Sequence, residues 1–174
     1  MKLIVWLWNP WKEYEKTRHN LGYLFLDWII DNEEFTPFKD EIKFKWSISV
    51  WILKWEKVLL LKPLTYMNLS WESIKKVVDF YKIDLKDMIV VYDDMSMDFW
   101  KIRFRDTWSA WWHNWVKSII SFFWEKWNRI KVWIGFNDKY DVSDWVLSKF
   151  NNSELDNLFS EKFKLVFDLL IQKI

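Results

Sequence analysis

The chain has 174 residues, a length that fits one domain and suffices to bury a core. Its net charge is +1, from 26 Lys and Arg against 25 Asp and Glu, so no global basic field can hold nucleic acid and any such surface has to be local. It contains no cysteine, which excludes disulfides, thiolate metal sites and cysteine nucleophiles and fits a reducing compartment, the cytoplasm.

Residues 2–8 (KLIVWLW) read as a buried first strand ended by Asn9-Pro10, since proline lacks the donor that a central strand needs. The run lacks the cleavage site of a secretory leader, and no apolar run approaches the ~20 residues of a membrane span, so no membrane association is expected. From 20 to 30, Leu21, Leu24, Phe25, Trp28 and Ile29 recur at helical spacing. Residues 42–53 alternate, with Ile42, Phe44, Trp46, Ile48, Val50 and Ile52 on one side, as in a half-buried strand. An interior strand over 58–61 follows, and the two form a hairpin around Lys54-Trp55-Glu56. Ser70 is the N-cap of a second helix ending near Ile83.

A strand over 88–92 closes on Asp93-Asp94, and 101–105 alternates again. A third helix spans 113–123, a last strand 129–135 and a C-terminal helix 152–173. Strands interleaved with helices predict a single α/β domain over 1–174, with a mixed, mostly parallel sheet covered by helices on both faces.

Ligands of open α/β sheets bind beyond the carboxyl ends of the strands. Asn9, Asn68 and Asp93 each stand at or soon after such an end, so one crevice can collect all three. His113-Asn114 opens a helix, whose N-terminus favours anions. His19 and His113 are the only histidines, hence the only side chains whose ordinary pKa lies near neutrality. Without a thiol, a hydrolytic site would most simply use water activated by histidine and oriented by a carboxylate. A metal site from His19, His113 and Asp93 lacks any ligand-spacing motif, and none is expected. Residues 101–131 carry Lys101, Arg103, Arg105, Lys117, Lys126, Arg129 and Lys131 against Asp106 and Glu125. Spacing alone leaves plainer readings open: His19 as a surface histidine, Asp93-Asp94 as a turn, and the basic stretch as a solvated face.

Four segments read together are more specific. WLWNPWKEYEKTRHN (6–20), KPLTYMNLSW (62–71), VVYDDMSMDFWKIRF (90–104) and SAWWHNWVKSII (109–120) resemble, in order and spacing, the signatures of the bacterial peptidyl-tRNA hydrolases. The resemblance runs to about residue 150 and implies their fold and activity: hydrolysis of the ester between a peptide and the 3′-terminal ribose of tRNA, without metal or cofactor. It implies His19 as the base that activates water and Asp93 as its orienter. Asn9, Asn68 and Asn114 would position substrate, Met67 and Tyr14 would line the peptide side, and Arg103, Arg105 and Lys131 would contact the tRNA backbone. Lys131 stands where relatives usually have Arg, which weakens the case for a bidentate phosphate contact. A monomer acting on the acceptor end of peptidyl-tRNA is implied as well. The rival reading is an RNA-binding relative that has lost catalysis.

The departure from the family is systematic. The chain holds 17 Trp and 2 Gly. At Trp6, Trp8, Trp11, Trp71, Trp100, Trp108, Trp111, Trp112, Trp115, Trp124 and Trp133 the family has Gly or another very small residue, and Trp46 and Trp55 join that group. Trp28, Trp51, Trp127 and Trp145 stand where a large side chain is unremarkable. Strain of about 1–3 kcal/mol at each tight turn, summed over such a set, would exceed the ~5–15 kcal/mol stability of a normal domain. The expectation is that UGA codons read as Gly in the cell have been translated as Trp.

Overall fold

The computed structural model describes residues 1–7, 9, 11–66, 69–95, 102–105, 114–123 and 127–174, leaving aside the side chains of Asn114, Trp115, Ser118 and Trp133. Its frame is a seven-stranded sheet. The first strand, β1 (Lys2–Trp6), lies between β4 (Glu56–Pro63) and β5 (Met88–Asp94) and runs parallel to both, with Leu3 beside Leu59 and Met88. The fourth parallel strand is β7 (Asn128–Trp133), next to β5. Antiparallel strands close the edges: β2 (Lys39–Glu41) and β3 (Trp46–Leu53) on the β4 side, and β6 (Ile102–Arg105) on the β7 side. The sheet is mixed with a parallel centre, as the alternation of elements predicts.

The central strands are apolar on both faces because both faces are covered. Ile4, Leu60, Ile89, Val91, Ile130 and Val132 face α1 (Leu21–Asn32) and the C-terminal helices. Leu3, Val5, Leu59, Leu61, Met88 and Val90 face α2 (Ser70–Tyr81) and α3 (Asn114–Phe122). Beyond β7 come α4 (Val142–Leu147), α5 (Asn152–Asn157), a π-helical stretch Leu158–Lys162 and α6 (Phe163–Lys173). Among the described residues, no helix is long and apolar enough to cross a membrane.

Two expectations need correction. The alternation from residue 42 is not one strand: Ile42–Phe44 is a 3-10 turn that leaves Ile42 82% exposed, and β3 begins at Trp46. A turn between two short strands produced the period of one long strand. Ser70 is the first helical residue of α2, and Leu69 is its N-cap. The hairpin between β3 and β4 turns on Lys54 and Trp55, both left-handed with φ of 47° and 72°. A type I′ turn needs that conformation at both central positions and strongly prefers Gly at the second.

Candidate active site

The residues around His19 form a 3-10 turn, Arg18–Asn20, leading directly into α1. That turn carries the histidine to the carboxyl end of the sheet, where β5 presents Asp93. His19 Nδ1 lies 2.9 Å from Asp93 Oδ2, and the carboxylate is 1% exposed against 13% for the imidazole. An ionised carboxylate only accepts, so Nδ1 donates. Nε2 is then the basic nitrogen, on an imidazole gripped from the side away from it. This geometry can accept a proton from water.

Asn9 is held by its backbone: its N–H donates to Asn20 Oδ1 at 2.8 Å, and Asn20 Nδ2 donates to its carbonyl at 2.9 Å. Asn20, 1% exposed, therefore fixes the chain leaving β1 against the His19 turn. Sequence reasoning did not single it out. The available signal was its place next to the histidine at the entry to a helix, where short polar side chains bond to backbone.

The acidic pair does not act as a pair. Successive side chains on a strand point to opposite faces, so Asp93 turns toward His19 while Asp94 turns to the other face and meets Lys131 Nζ at 2.7 Å. Lys131 also lies 5.9 Å above the Tyr92 ring. Burial first, then the neighbouring acids, push the Tyr92 phenol far above its ordinary pKa against the opposing pull of Arg129.

The peptidyl-tRNA hydrolase family model matches residues 3–173. The chain belongs to the peptidyl-tRNA hydrolase family. It is 45% identical to a peptidyl-tRNA hydrolase of Clostridium novyi over 169 residues, 97% of this chain and 88% of the relative. Identity to that of Mycoplasma capricolum is 41%, covering 94% of this chain and 87% of the relative. A crystal structure of the Acinetobacter baumannii peptidyl-tRNA hydrolase superposes with a TM-score of 0.81 at 30% identity, over 99% of this chain and 92% of the other.

Within this peptidyl-tRNA hydrolase fold the basic residues gather on β6 and β7, where Arg103 stands opposite Lys131 and Arg105 opposite Arg129. Directly opposed residues of an antiparallel pair share a face, so one ladder presents four cations. Arg103 and Arg105 are exposed, whereas Arg129 is 3% exposed with its guanidinium 5.0 Å from the Trp127 ring. Tyr14 ends a 3-10 turn, Lys12–Tyr14, where the adjacent Glu13 carboxylate raises its phenol pKa. Met67, Asn68 and His113 lie outside the described residues, as does the side chain of Asn114, whose backbone opens α3. Sequence reasoning also passed over Thr65, which is 6% exposed, has no hydrogen-bond partner for Oγ1 among the described residues, and lines a cavity with Trp11, Leu64, Tyr66 and Leu69.

Proposed function

We propose that this chain hydrolyses the ester linking a peptide to the 3′-terminal ribose of tRNA, with His19 as general base and Asp93 as its orienter. The observation that carries the assignment is the 2.9 Å bond between His19 Nδ1 and the buried Asp93 carboxylate. In this mechanism Nε2 takes a proton from water while the water oxygen attacks the ester carbonyl carbon. The tetrahedral intermediate expels the ribose 3′-oxygen, which recovers the proton from the imidazolium. The peptide leaves as a carboxylic acid that releases its proton to solvent, and the tRNA leaves free, with no covalent enzyme intermediate. Asp93 stabilises the imidazolium while it exists, the role of the carboxylate in a Ser-His-Asp triad. Asn9, Asn68 and Asn114 are assigned to substrate positioning and oxyanion stabilisation, and Met67 and Tyr14 to the peptide side.

Arg103, Arg105 and Lys131 are assigned to phosphates of the acceptor end, where contacts supply affinity and register without reading bases. Lys131 enters that role through its pair with Asp94, so a phosphate there shares the ammonium with a buried carboxylate. The protein acts as a monomer, and the compartment is the cytoplasm, where its substrate arises in translation.

The reading extends to the tryptophans: thirteen of them are Gly in the cell, encoded by UGA. Trp55 supports it through its positive φ in a turn that favours Gly, and Trp6 through a buried indole N–H with no acceptor among the described residues. UGG codons at these positions would sink it, and peptide mass spectrometry of the native protein reads the residue directly.

The catalytic test is His19→Ala, expected to lower kcat on peptidyl-tRNA by about 10²–10⁴-fold while tRNA affinity is unchanged. Native turnover by this variant would overturn the base assignment. An unmutated chain that binds tRNA without turnover would point to the non-catalytic relative.

A further inference from the structure

We infer that Arg18 is a positioning residue for this reaction, clamping the His19 turn to the segment 145–154 and so fixing where the imidazole stands. The inference rests on His19 as the base. Arg18 is 6% exposed, and burying a guanidinium is costly unless its partners are fixed. Here they are. Nη2 donates to both carboxylate oxygens of Glu154, at 2.9 and 3.0 Å, and Nε donates to Ser148 Oγ at 3.1 Å. The guanidinium carbon lies 4.3 Å from the Trp145 ring centroid and 4.8 Å from that of Phe150.

Each partner is itself pinned. Glu154 closes a capping box with Asn151 at the start of α5, through bonds of 2.8 and 2.9 Å. Ser148 Oγ donates to the Trp145 carbonyl at 2.6 Å, and the Trp145 indole donates to the Gly135 carbonyl at 2.8 Å. Backbone joins the same two segments: Arg18 N–H donates to the Ser148 carbonyl and Phe150 N–H to the Lys16 carbonyl, both at 3.0 Å.

The turn Arg18–Asn20 is three residues long, too short to hold its own shape, since 3-10 hydrogen bonds are weaker than α-helical ones. Its position is therefore set by the backbone bond from Arg18 to Ser148 and by what its side chains grip. Three successive side chains grip three separate parts of the molecule: Arg18 the 145–154 segment, His19 the end of β5, and Asn20 the chain leaving β1. Removing the first grip leaves the turn on its backbone bond to Ser148 and the other two side chains, and the imidazole shifts from the place the guanidinium fixed. Substrate contacts made elsewhere are untouched, so kcat falls and KM does not.

The test compares Arg18→Lys, which keeps the charge but loses the fork, with Glu154→Gln, which keeps Arg18 and its stacking. Both are made in the chain as its own cell translates it and assayed well below their melting temperatures. Arg18→Lys is expected to lower kcat by about ten- to a hundred-fold and Glu154→Gln by about five-fold, with KM within about twofold of native. The nitrogen NMR spectrum of His19 is expected to change from one tautomer to a mixture. Native kcat in the folded variants, or losses that only follow the folded fraction, would overturn the clamp. If Arg18→Lys does not fold, Glu154→Gln decides by the same criteria. His19→Ala, assayed alongside, separates the two ideas: if it is inactive while the folded clamp variants turn over normally, only the clamp has failed, and if it is active the base assignment has failed.

Discussion

Two buried indoles pack against Phe25, Trp6 with its ring centroid at 4.3 Å and Trp28 at 5.7 Å, and their surroundings differ. Trp28, on α1, donates from Nε1 to the Phe159 carbonyl at 3.1 Å. That carbonyl lies in the π-helical stretch of the C-terminal helices, where the usual helical bonding is interrupted. Trp6, at the end of β1, is 1% exposed, and its Nε1 finds no acceptor among the described residues. Strand and helix also approach closely beside it: a Cβ on Gly22 would stand 2.8 Å from the Leu7 carbonyl and 3.4 Å from the Trp6 ring. A buried indole ordinarily finds an acceptor. The core supplies an acceptor for the Trp28 indole and none, among the described residues, for that of Trp6.

The largest test of that contrast is Trp28→Gly, expected to cost about 3–5 kcal/mol by thermal or denaturant unfolding. Trp6→Gly is expected to cost less, because the loss of a buried indole is offset by removal of an orphaned donor worth about 1–3 kcal/mol. Equal losses at the two sites would erase the distinction. Trp55→Gly isolates the backbone effect, since this side chain is 98% exposed and its φ is 72°. A gain of about 1 kcal/mol is expected, and a loss would mean that the turn tolerates its indole.

The smallest test concerns a buried donor on β4 that does have its partner. Lys62, 8% exposed, donates to Asp27 Oδ1 at 3.1 Å and lies 4.4 and 4.2 Å from the Tyr23 and Phe38 rings. Burial lowers its pKa, with Asp27 opposing. The folded state then holds this proton less tightly than the unfolded one, so stability rises with pH between the depressed value and the ordinary ~10.4. Lys62→Met is expected to keep the fold and flatten that rise in melting temperature across the alkaline range. An unaltered slope would assign it to other groups.

Legibility in the sequence followed how local each signal was. The apolar runs of β1, β4 and β5 announced themselves, and α1, α2 and the C-terminal helices followed from their periodicity. Two short elements escaped: β2 is three charged residues, and α4 is six residues, too short for its period to repeat. Ile42 and Phe44 were misread because a 3-10 turn and a strand happened to keep one period. At the site, His19 and Asp93 could be named from their segments, but they are 74 residues apart and no spacing rule joins them. Asp94 resembled Asp93 in every local respect, and only the pleat of β5 sent it to Lys131 instead.

What the sequence by itself determined was the α/β class, the order of the main elements, the family and the residue types available for chemistry, because periodicity and motif spacing belong to neighbouring residues. Only the tertiary structure decided that Asp93 receives His19 while Asp94 takes Lys131, that Asn20 holds Asn9, and that Arg18 ties the histidine's turn to Glu154. Those pairings depend on sheet register and helix packing, which bring together side chains that the chain itself keeps apart.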